Sequence, residues 1–347
     1  MLSPLPEKLL NMEQNKKLDE ERYSRQLLLP EIGKEGQEKI AQATVAVVGI
    51  GALGTVAAEL LARAGIGKLL LVDRDIVEES NLQRQVLFTE DDLGRSKAIV
   101  GKERLTRINS AITLEAYPIH LNRKNIVLLD KATIILDCTD NLQSRFLLND
   151  YSQQQKIPWI YAAAIKTNGY VFPIIPSLPE GACLRCFLTS ESSSGETCDT
   201  VGVLNTVTAA VASLQVTLAL KIILEEIKMI KMKLYSLNVW KPELKVLTVK
   251  QNLDCPACWG KYEYLDGLKG EEEIRTVQFC STGRYQIVGR PQELKEIQRR
   301  WEKIDEVKRD DGLLQFKNII LFADGRALIK ARSEQEALVA YAKWVGD

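Results

Sequence analysis

The sequence predicts an α/β protein: a Rossmann-like, doubly wound sheet with an antiparallel extension, followed by a small C-terminal α+β module. Three observations carry that prediction. The apolar run Val45-Ala46-Val47-Val48 ends in Gly49-Ile50-Gly51-Ala52-Leu53-Gly54, a G-x-G-x-x-G turn where a strand should pass into a helix. Short apolar runs then alternate with segments of helical spacing as far as residue 163. Beyond Phe172 the alternation stops, and proline, glycine and charge patterns take over.

Taken in order, residues 1–20 read as a polar leader and residues 21–41 as a helical entry arm. Strands are expected over 44–48, 68–73, 113–118, 132–137 and 159–163, with helices over 53–64, 95–109 and 141–155. Gly65 should close the first of these helices, because glycine accepts the left-handed backbone of a C-terminal cap. Pro173, Pro176, Pro179 and Gly181 mark an irregular crossing segment, and residues 190–195 a polar loop. Residues 201–227 read as one long helix. Its apolar run is broken by Ser213, Gln215 and Lys221, which favours a buried helix over a membrane span. Residues 233–249 suggest two antiparallel strands around Lys241-Pro242. The tail predicts a β-β-α-β-β-α module: strands over 274–279 and 285–288, a helix over 292–308, strands over 316–322 and 327–331 flanking Asp324-Gly325, and a helix over 334–345. The expected division is a leader (1–20), a main domain (21–265) and a C-terminal domain (268–347).

Lysine plus arginine and aspartate plus glutamate both number 46, so no charge excess suggests a nucleic-acid or membrane surface. The polar N-terminus does not read as a signal peptide. Seven cysteines, four of them in Cys-x-x-Cys pairs, fit a reducing compartment better than a secreted disulfide framework, and the expected location is cytoplasmic. Cys183-Leu184-Arg185-Cys186 and Cys255-Pro256-Ala257-Cys258 can close a tetrahedral, structural zinc site; the alternative is two unrelated reduced pairs. Cys138 and Cys280 read as buried apolar residues.

The glycine turn by itself indicates a nucleotide: Gly49, Gly51 and Gly54 let backbone approach a phosphate at a helix N-terminus. Asp73, ending the second strand, stands where a ribose-binding acid is expected. Asn81-Leu82-Gln83-Arg84-Gln85 then adds amides and a guanidinium, which suit a triphosphate better than a dinucleotide.

This set resembles the ThiF/MoeB/HesA family of adenylyltransferases, relatives of ubiquitin-activating enzymes. The resemblance runs from about residue 21 to 260. It rests on Arg22-Tyr23-Ser24-Arg25-Gln26, the glycine turn, Asp73-Arg74-Asp75, Asn81 to Gln85, Lys97, Asp137-Cys138-Thr139-Asp140-Asn141 and the cysteine pairs. It implies attack of a carboxylate on the α-phosphorus of ATP, with pyrophosphate leaving. Asn81, Arg84, Gln85 and Lys97 would orient the triphosphate, and Asp140 would hold Mg²⁺, with Asp75 a second acid nearby and Asn141 beside it. It also implies a partner, a small ubiquitin-like sulfur carrier protein ending in Gly-Gly, and a homodimer in which Arg22 reaches the neighbouring subunit's site. The sulfur donor would be a separate protein, since no sulfurtransferase segment follows. Cys198 matches a cysteine that in some relatives bonds the carrier. Arg145 is either a ligand contact or half of a structural ion pair.

One turn position common to the family as glycine is Ala52 here, which is tolerable if its φ is negative. The single histidine, His120, reads as structural or surface, because a terminal carboxylate is already ionised at neutral pH and needs no base. The other readings are adenylylation of a peptide or tRNA-bound carboxylate, an NAD-binding oxidoreductase, and a scaffold without turnover.

Overall fold

The computed structural model describes residues 20–178, 181–188, 201–225, 230–270, 276–279, 284–310 and 312–346. The expected leader up to residue 19, the loop at 190–195, Cys198, Cys280 and the outer ends of the elements expected to reach 227 and to start at 274 lie outside the described residues.

Five strands form the parallel half of an eight-stranded sheet: β1 (Thr44–Val48), β2 (Lys68–Val72), β3 (Thr113–Tyr117), β4 (Ile134–Asp137) and β5 (Trp159–Ile165). Their order is β3-β2-β1-β4-β5, so the direction of winding reverses between β1 and β4. Ligands bind at such a reversal, outside the carboxyl ends of the strands. The helices are α1 (Ser24–Leu27), α2 (Gly33–Gln42), α3 (Ala52–Ala64), α4 (Lys97–Ile108) and α5 (Leu142–Gln155).

The strands read as unbroken apolar runs because both faces are covered. In β1, Val45 and Val47 pack with Ala57, Ala58 and Leu61 of α3 on one face. Ala46 and Val48 pack with Phe146, Leu148 and Tyr151 of α5 on the other. Burial of each larger side chain stabilises by roughly 1.5–3 kcal/mol. Gly65 caps α3 at φ +82°, and an added Cβ would stand 2.4 Å from the Tyr23 ring, so the entry arm also requires glycine there.

Four sequence expectations need correction. The entry arm is two helices, α1 and α2, separated by a bend around Pro30. A sixth strand, β6 (Asn168–Ile174), forms where no element was expected and runs through Pro173 into the segment read as an irregular crossing. Pro173 is tolerated because β6 meets β7 (Lys233–Asn238) only through residues 168–171, which leaves Pro173 with one neighbouring strand. With β8 (Glu243–Thr248), strands β5 to β8 form the antiparallel extension. The helix expected over 292–308 is only α7 (Leu294–Trp301), because Lys308–Asp310 pairs as a strand with residues 313–315. The strand expected over 316–322 is two, folded back at Lys317 (φ +53°).

The long helix α6 (Asn205–Leu224) is apolar enough to cross a membrane by length and composition, yet it lies against β5, β6 and α3. Its Gln215 is fully buried and donates 2.9 Å hydrogen bonds to Asp137 O and Ile160 O.

The C-terminal region carries a six-stranded antiparallel sheet of order β11-β12-β13-β14-β10-β9. Its strands are β9 (Thr276–Phe279), β10 (Arg284–Val288), β11 (Lys308–Asp310), β12 (Leu313–Phe316), β13 (Ile319–Phe322) and β14 (Arg326–Lys330), with α7 and α8 (Glu334–Trp344) against one face. The other face contacts the β2–α4 connection through Ile76.

Candidate functional site

At the reversal point the glycines divide the work. Gly49 has φ +91°, and a Cβ on it would lie 2.6 Å from Cys138 O at the end of β4. A Cβ on Gly54 would stand 1.9 Å from Gly49 O, so this glycine lets α3 close onto the turn. A Cβ on Gly51 would meet only Gln85 Nε2, at 3.8 Å. Gly51 therefore leaves space open in front of the N-terminus of α3, which no side chain caps among the described residues. Unpaired amides and the helix dipole at such an end favour an anion. Ala52 begins α3 and keeps a negative φ, as the turn requires.

A cleft of about 700 Å³ opens there. It is lined by Gly49, Gly51, Asp73, Asp75, Asn81, Arg84, Gln85, Lys97, Asp140 and Asn141, that is, by most of the residues singled out from sequence. Gly54 stands behind the turn. Arg22 is not in this cleft: it sits on the entry arm, with Nη1 donating to Ile108 O at 3.1 Å. Cys198 lies outside the described residues.

Asp73 is oriented by the backbone, Oδ2 accepting from Ile50 N at 2.6 Å and Oδ1 from Asp75 N at 2.7 Å, and each oxygen keeps a further lone pair for a ligand. Burial raises its pKa against the pull of Lys97. Lys97, the first residue of α4, is nearly buried, with Nζ 3.7 Å from Asp75 Oδ2. Burial opposes its charge, but Asp75, Asp73, Asp140 and Glu78 together raise its pKa, so the ammonium is held charged. Burial likewise works against the Asp75 carboxylate, and Lys97, Arg74 and Arg326 outweigh it and lower its pKa. Asn81 accepts from Glu78 N, and Arg84 Nη1 donates to Ser80 O at 2.9 Å. Gln85 is buried, and its Oε1 has no hydrogen-bond partner among the described residues. A buried amide oxygen without a partner costs about 1–3 kcal/mol, which a ligand donor would recover.

Asp140 follows β4 and stands exposed at the rim, and Asn141 caps α5 by accepting from Ser144 N at 2.8 Å. Arg145 makes the structural ion pair, one of its two readings, and it also lines the cleft. Nε lies 3.3 Å from Asp137 Oδ2 and Nη2 donates to Thr139 O at 2.6 Å, so it braces the β4 end while facing the cleft. Cys138 is buried as expected, its pKa raised by burial.

His120, read as structural or surface, is not a surface residue. It lines the cleft, Nδ1 lies 3.3 Å from Arg74 Nη1, and burial followed by the Arg74 and Arg326 charges lowers its pKa to about 4. It is a neutral ring at pH 7. Sequence reasoning also missed Arg284 and Leu328, which reach the cleft from the C-terminal sheet. Nothing in the motifs of the first 260 residues could have announced them.

The four paired cysteines lie together, every Sγ within 4.8 Å of the others. Cys183 to Cys255 and Cys186 to Cys258 are each 3.5 Å apart, and Cys183 to Cys186 is 3.8 Å. Tetrahedral zinc with bonds of about 2.3 Å places sulfurs roughly 3.8 Å apart, so the donor set fits that ion. Asn149 Nδ2 donates to Cys183 Sγ at 3.6 Å and so orients that sulfur.

The ThiF family model matches residues 23–257. Across 94% of this chain and 99% of the relative, the sequence is 35% identical to the sulfur carrier protein ThiS adenylyltransferase of Bacillus subtilis. It is 36% identical to the sulfur carrier protein adenylyltransferase of Thermus thermophilus, over 69% of this chain and 90% of that one. Among solved structures, Escherichia coli MccB with ATP superposes at TM-score 0.60 and 24% identity, covering 71% of this chain and 76% of that one, a likeness of fold. The glycine turn, the charged β2–α4 connection and the matched span lead to one conclusion: the chain belongs to the ThiF family.

Proposed function

We propose that this protein is an ATP-dependent adenylyltransferase that activates the C-terminal glycine carboxylate of a small ubiquitin-like sulfur carrier protein. The observation that carries the reading is the pairing of an uncapped α3 N-terminus at Gly51 with the facing Asn81, Arg84, Gln85 and Lys97. The names of the two relatives above supply the substrate class, sulfur delivery for cofactor biosynthesis supplies the setting, and the cleft supplies the chemistry.

A carboxylate oxygen of the carrier attacks the α-phosphorus. The α–β bridging bond breaks, and pyrophosphate leaves with the electron pair. No proton has to move, because the nucleophile is already ionised. The protein must instead hold the nucleotide in line and neutralise the charge that builds on the departing oxygens. Amides at the α3 N-terminus receive phosphate oxygens, Lys97 and Arg84 add fixed positive charge, and Gln85 Oε1 accepts a donor. Asp73 and the nearby backbone receive the ribose. Asp140 is the residue that would hold a magnesium ion, with Asp75 close by; when bound, that ion offsets the charge of the leaving pyrophosphate.

The four-cysteine cluster is taken as a structural zinc site joining the crossing segment to the end of the main sheet. A homodimer would bring Arg22 to the partner's cleft, and sulfur would come from a separate donor protein. Cys198 remains the candidate for a covalent bond to the carrier. A cytoplasmic location is part of this proposal, supported by the two Cys-x-x-Cys pairs of the sequence, which suit a metal in a reducing compartment.

Carrier-dependent ATP–pyrophosphate exchange tests the reading against a panel of small proteins ending in Gly-Gly. Exchange with at least one carrier is expected; exchange with none would remove the proposed substrate class.

A further inference from the structure

Lys97 begins α4, but many of the other polar and charged residues of the cleft lie outside the strands and α-helices. Arg74, Asp75, Asn81, Arg84 and Gln85 all belong to residues 73–96, the connection from β2 to α4. A connection of this length in a compact domain needs support from elsewhere if it is to hold a ligand geometry. Part of that support is local. Val77 N donates to Arg95 O, Gly94 N to Val77 O, and Lys97 N to Asp75 O.

The rest comes from the C-terminal sheet. Arg326, at the start of β14, is buried. Its Nη1 donates to Arg74 O at 2.8 Å and its Nη2 to Pro118 O at 3.1 Å, while Nε pairs with Asp324 at 2.9 Å. The guanidinium carbon lies 4.2 Å from the centre of the Phe322 ring. Arg74 O is the carbonyl between the two cleft acids Asp73 and Asp75, and Pro118 follows the end of β3. One side chain therefore ties the ends of β2 and β3 to the sheet. Around it, Ile76 is enclosed by Leu313, Ile320, Phe322 and Leu328. Farther along, Asp310 takes both Arg95 Nη2 (3.0 Å) and Nε (3.2 Å), and Gln315 donates to Gly94 O at 2.7 Å. Two residues of the sheet reach the cleft itself: Leu328, also part of the Ile76 cluster, and Arg284, 3.7 Å from Glu78.

We infer that the C-terminal sheet is a structural wall of the nucleotide site, and that Arg326 is a positioning residue that fixes the Asp73-Arg74-Asp75 turn for ATP. A buried guanidinium placed over two backbone carbonyls is costly unless both bonds form, so it selects one geometry of that turn. The inference rests on the reading of the cleft as an ATP site. It gives the C-terminal sheet a role in nucleotide affinity, separate from recognition of the carrier.

Titration calorimetry with MgATP on the full-length protein tests it, alongside carrier KM at saturating ATP and the melting point without nucleotide. For Arg326→Met, which keeps most of the volume, the ATP dissociation constant should rise roughly tenfold or more while carrier KM moves by less than about twofold. Arg326→Lys, able to reach only one carbonyl at a time, should fall between wild type and Met. A folded Arg326→Met protein with unchanged ATP affinity overturns the inference. If that variant does not fold, Asp310→Asn and Gln315→Ala take its place. Each loosens the same connection at a distance from the cleft and should weaken ATP roughly twofold to fivefold. Unchanged affinity in both overturns the inference. Failure of the wild type to bind ATP refutes the ATP-site reading itself, and the inference with it; wild-type binding with unaffected variants refutes the inference alone.

Discussion

Lys97 Nζ lies 3.7 Å from Asp75 Oδ2, which places the cation at the first turn of α4 against an acid on the connection that leads to it. The ammonium is nearly buried and kept charged by several acids around it, not by Asp75 alone. Removing it leaves Asp73, Asp75 and Asp140 without their shared counter-charge at the place assigned to the triphosphate. Lys97→Met should lower kcat/KM for ATP by about 10²- to 10³-fold, measured by pyrophosphate exchange. A loss of less than about fivefold would show that the lysine serves the fold and not the phosphates.

The glycine turn separates space for the ligand from space for packing. Gly51→Ala adds a methyl that meets nothing closer than Gln85 Nε2 at 3.8 Å, so the fold should tolerate it while the phosphates lose their approach. We expect a melting point near that of the wild type and ATP binding weakened roughly tenfold or more. Gly54→Ala should do the reverse. Its methyl would overlap Gly49 O, costing roughly 3 kcal/mol of stability, and denaturant titration of the two variants side by side would show the contrast.

The cysteine cluster predicts about one zinc per chain by metal analysis of purified protein. Cys258→Ser should lose the metal and about 3 kcal/mol or more of stability, since structural zinc binding contributes directly to folding. Chelation should lower the melting point of the wild type and leave that of the variant unchanged. A protein pure in the absence of metal and equally stable would contradict the assignment.

His120 makes stability depend on pH in a definite direction. Its folded pKa of about 4 lies below the ordinary value of 6.5, so the unfolded chain binds the proton more readily. Its contribution is therefore complete above about pH 6.5 and is lost as pH falls towards 4, with an upper limit of about 3 kcal/mol. Chemical denaturation between pH 4 and 7 should show this slope in the wild type and a flatter one in His120→Gln. Equal slopes would mean that burial and the neighbouring Arg74 and Arg326 charges do not hold the ring neutral in the folded protein.

Much of this architecture was legible in the sequence, for a physical reason. Strands covered on both faces have to be apolar throughout, so β1, β2 and β4 declare themselves, and the glycine turn locates the reversal point. The elements that escaped depend on pairing partners. β6 is a strand despite Pro173 because only β5 flanks that residue, and β11 exists because β12 lies beside it. Lys317 takes a left-handed turn that its residue type does not advertise. The cleft followed the same rule. Residues in one sequence block, from Asp73 to Lys97, could be grouped in advance. Arg326 and Arg284 could not, because more than 180 residues separate them from the acids they approach and only the folded C-terminal sheet brings them there.

Adenylylation of a terminal carboxylate is tested most directly by its product. Purified protein, MgATP and a carrier ending in Gly-Gly should yield, by intact-mass spectrometry, a carrier heavier by one AMP less water, with pyrophosphate released in equal amount. A carrier of unchanged mass beside hydrolysed ATP, or an ATP that is never consumed with any carrier, would contradict it.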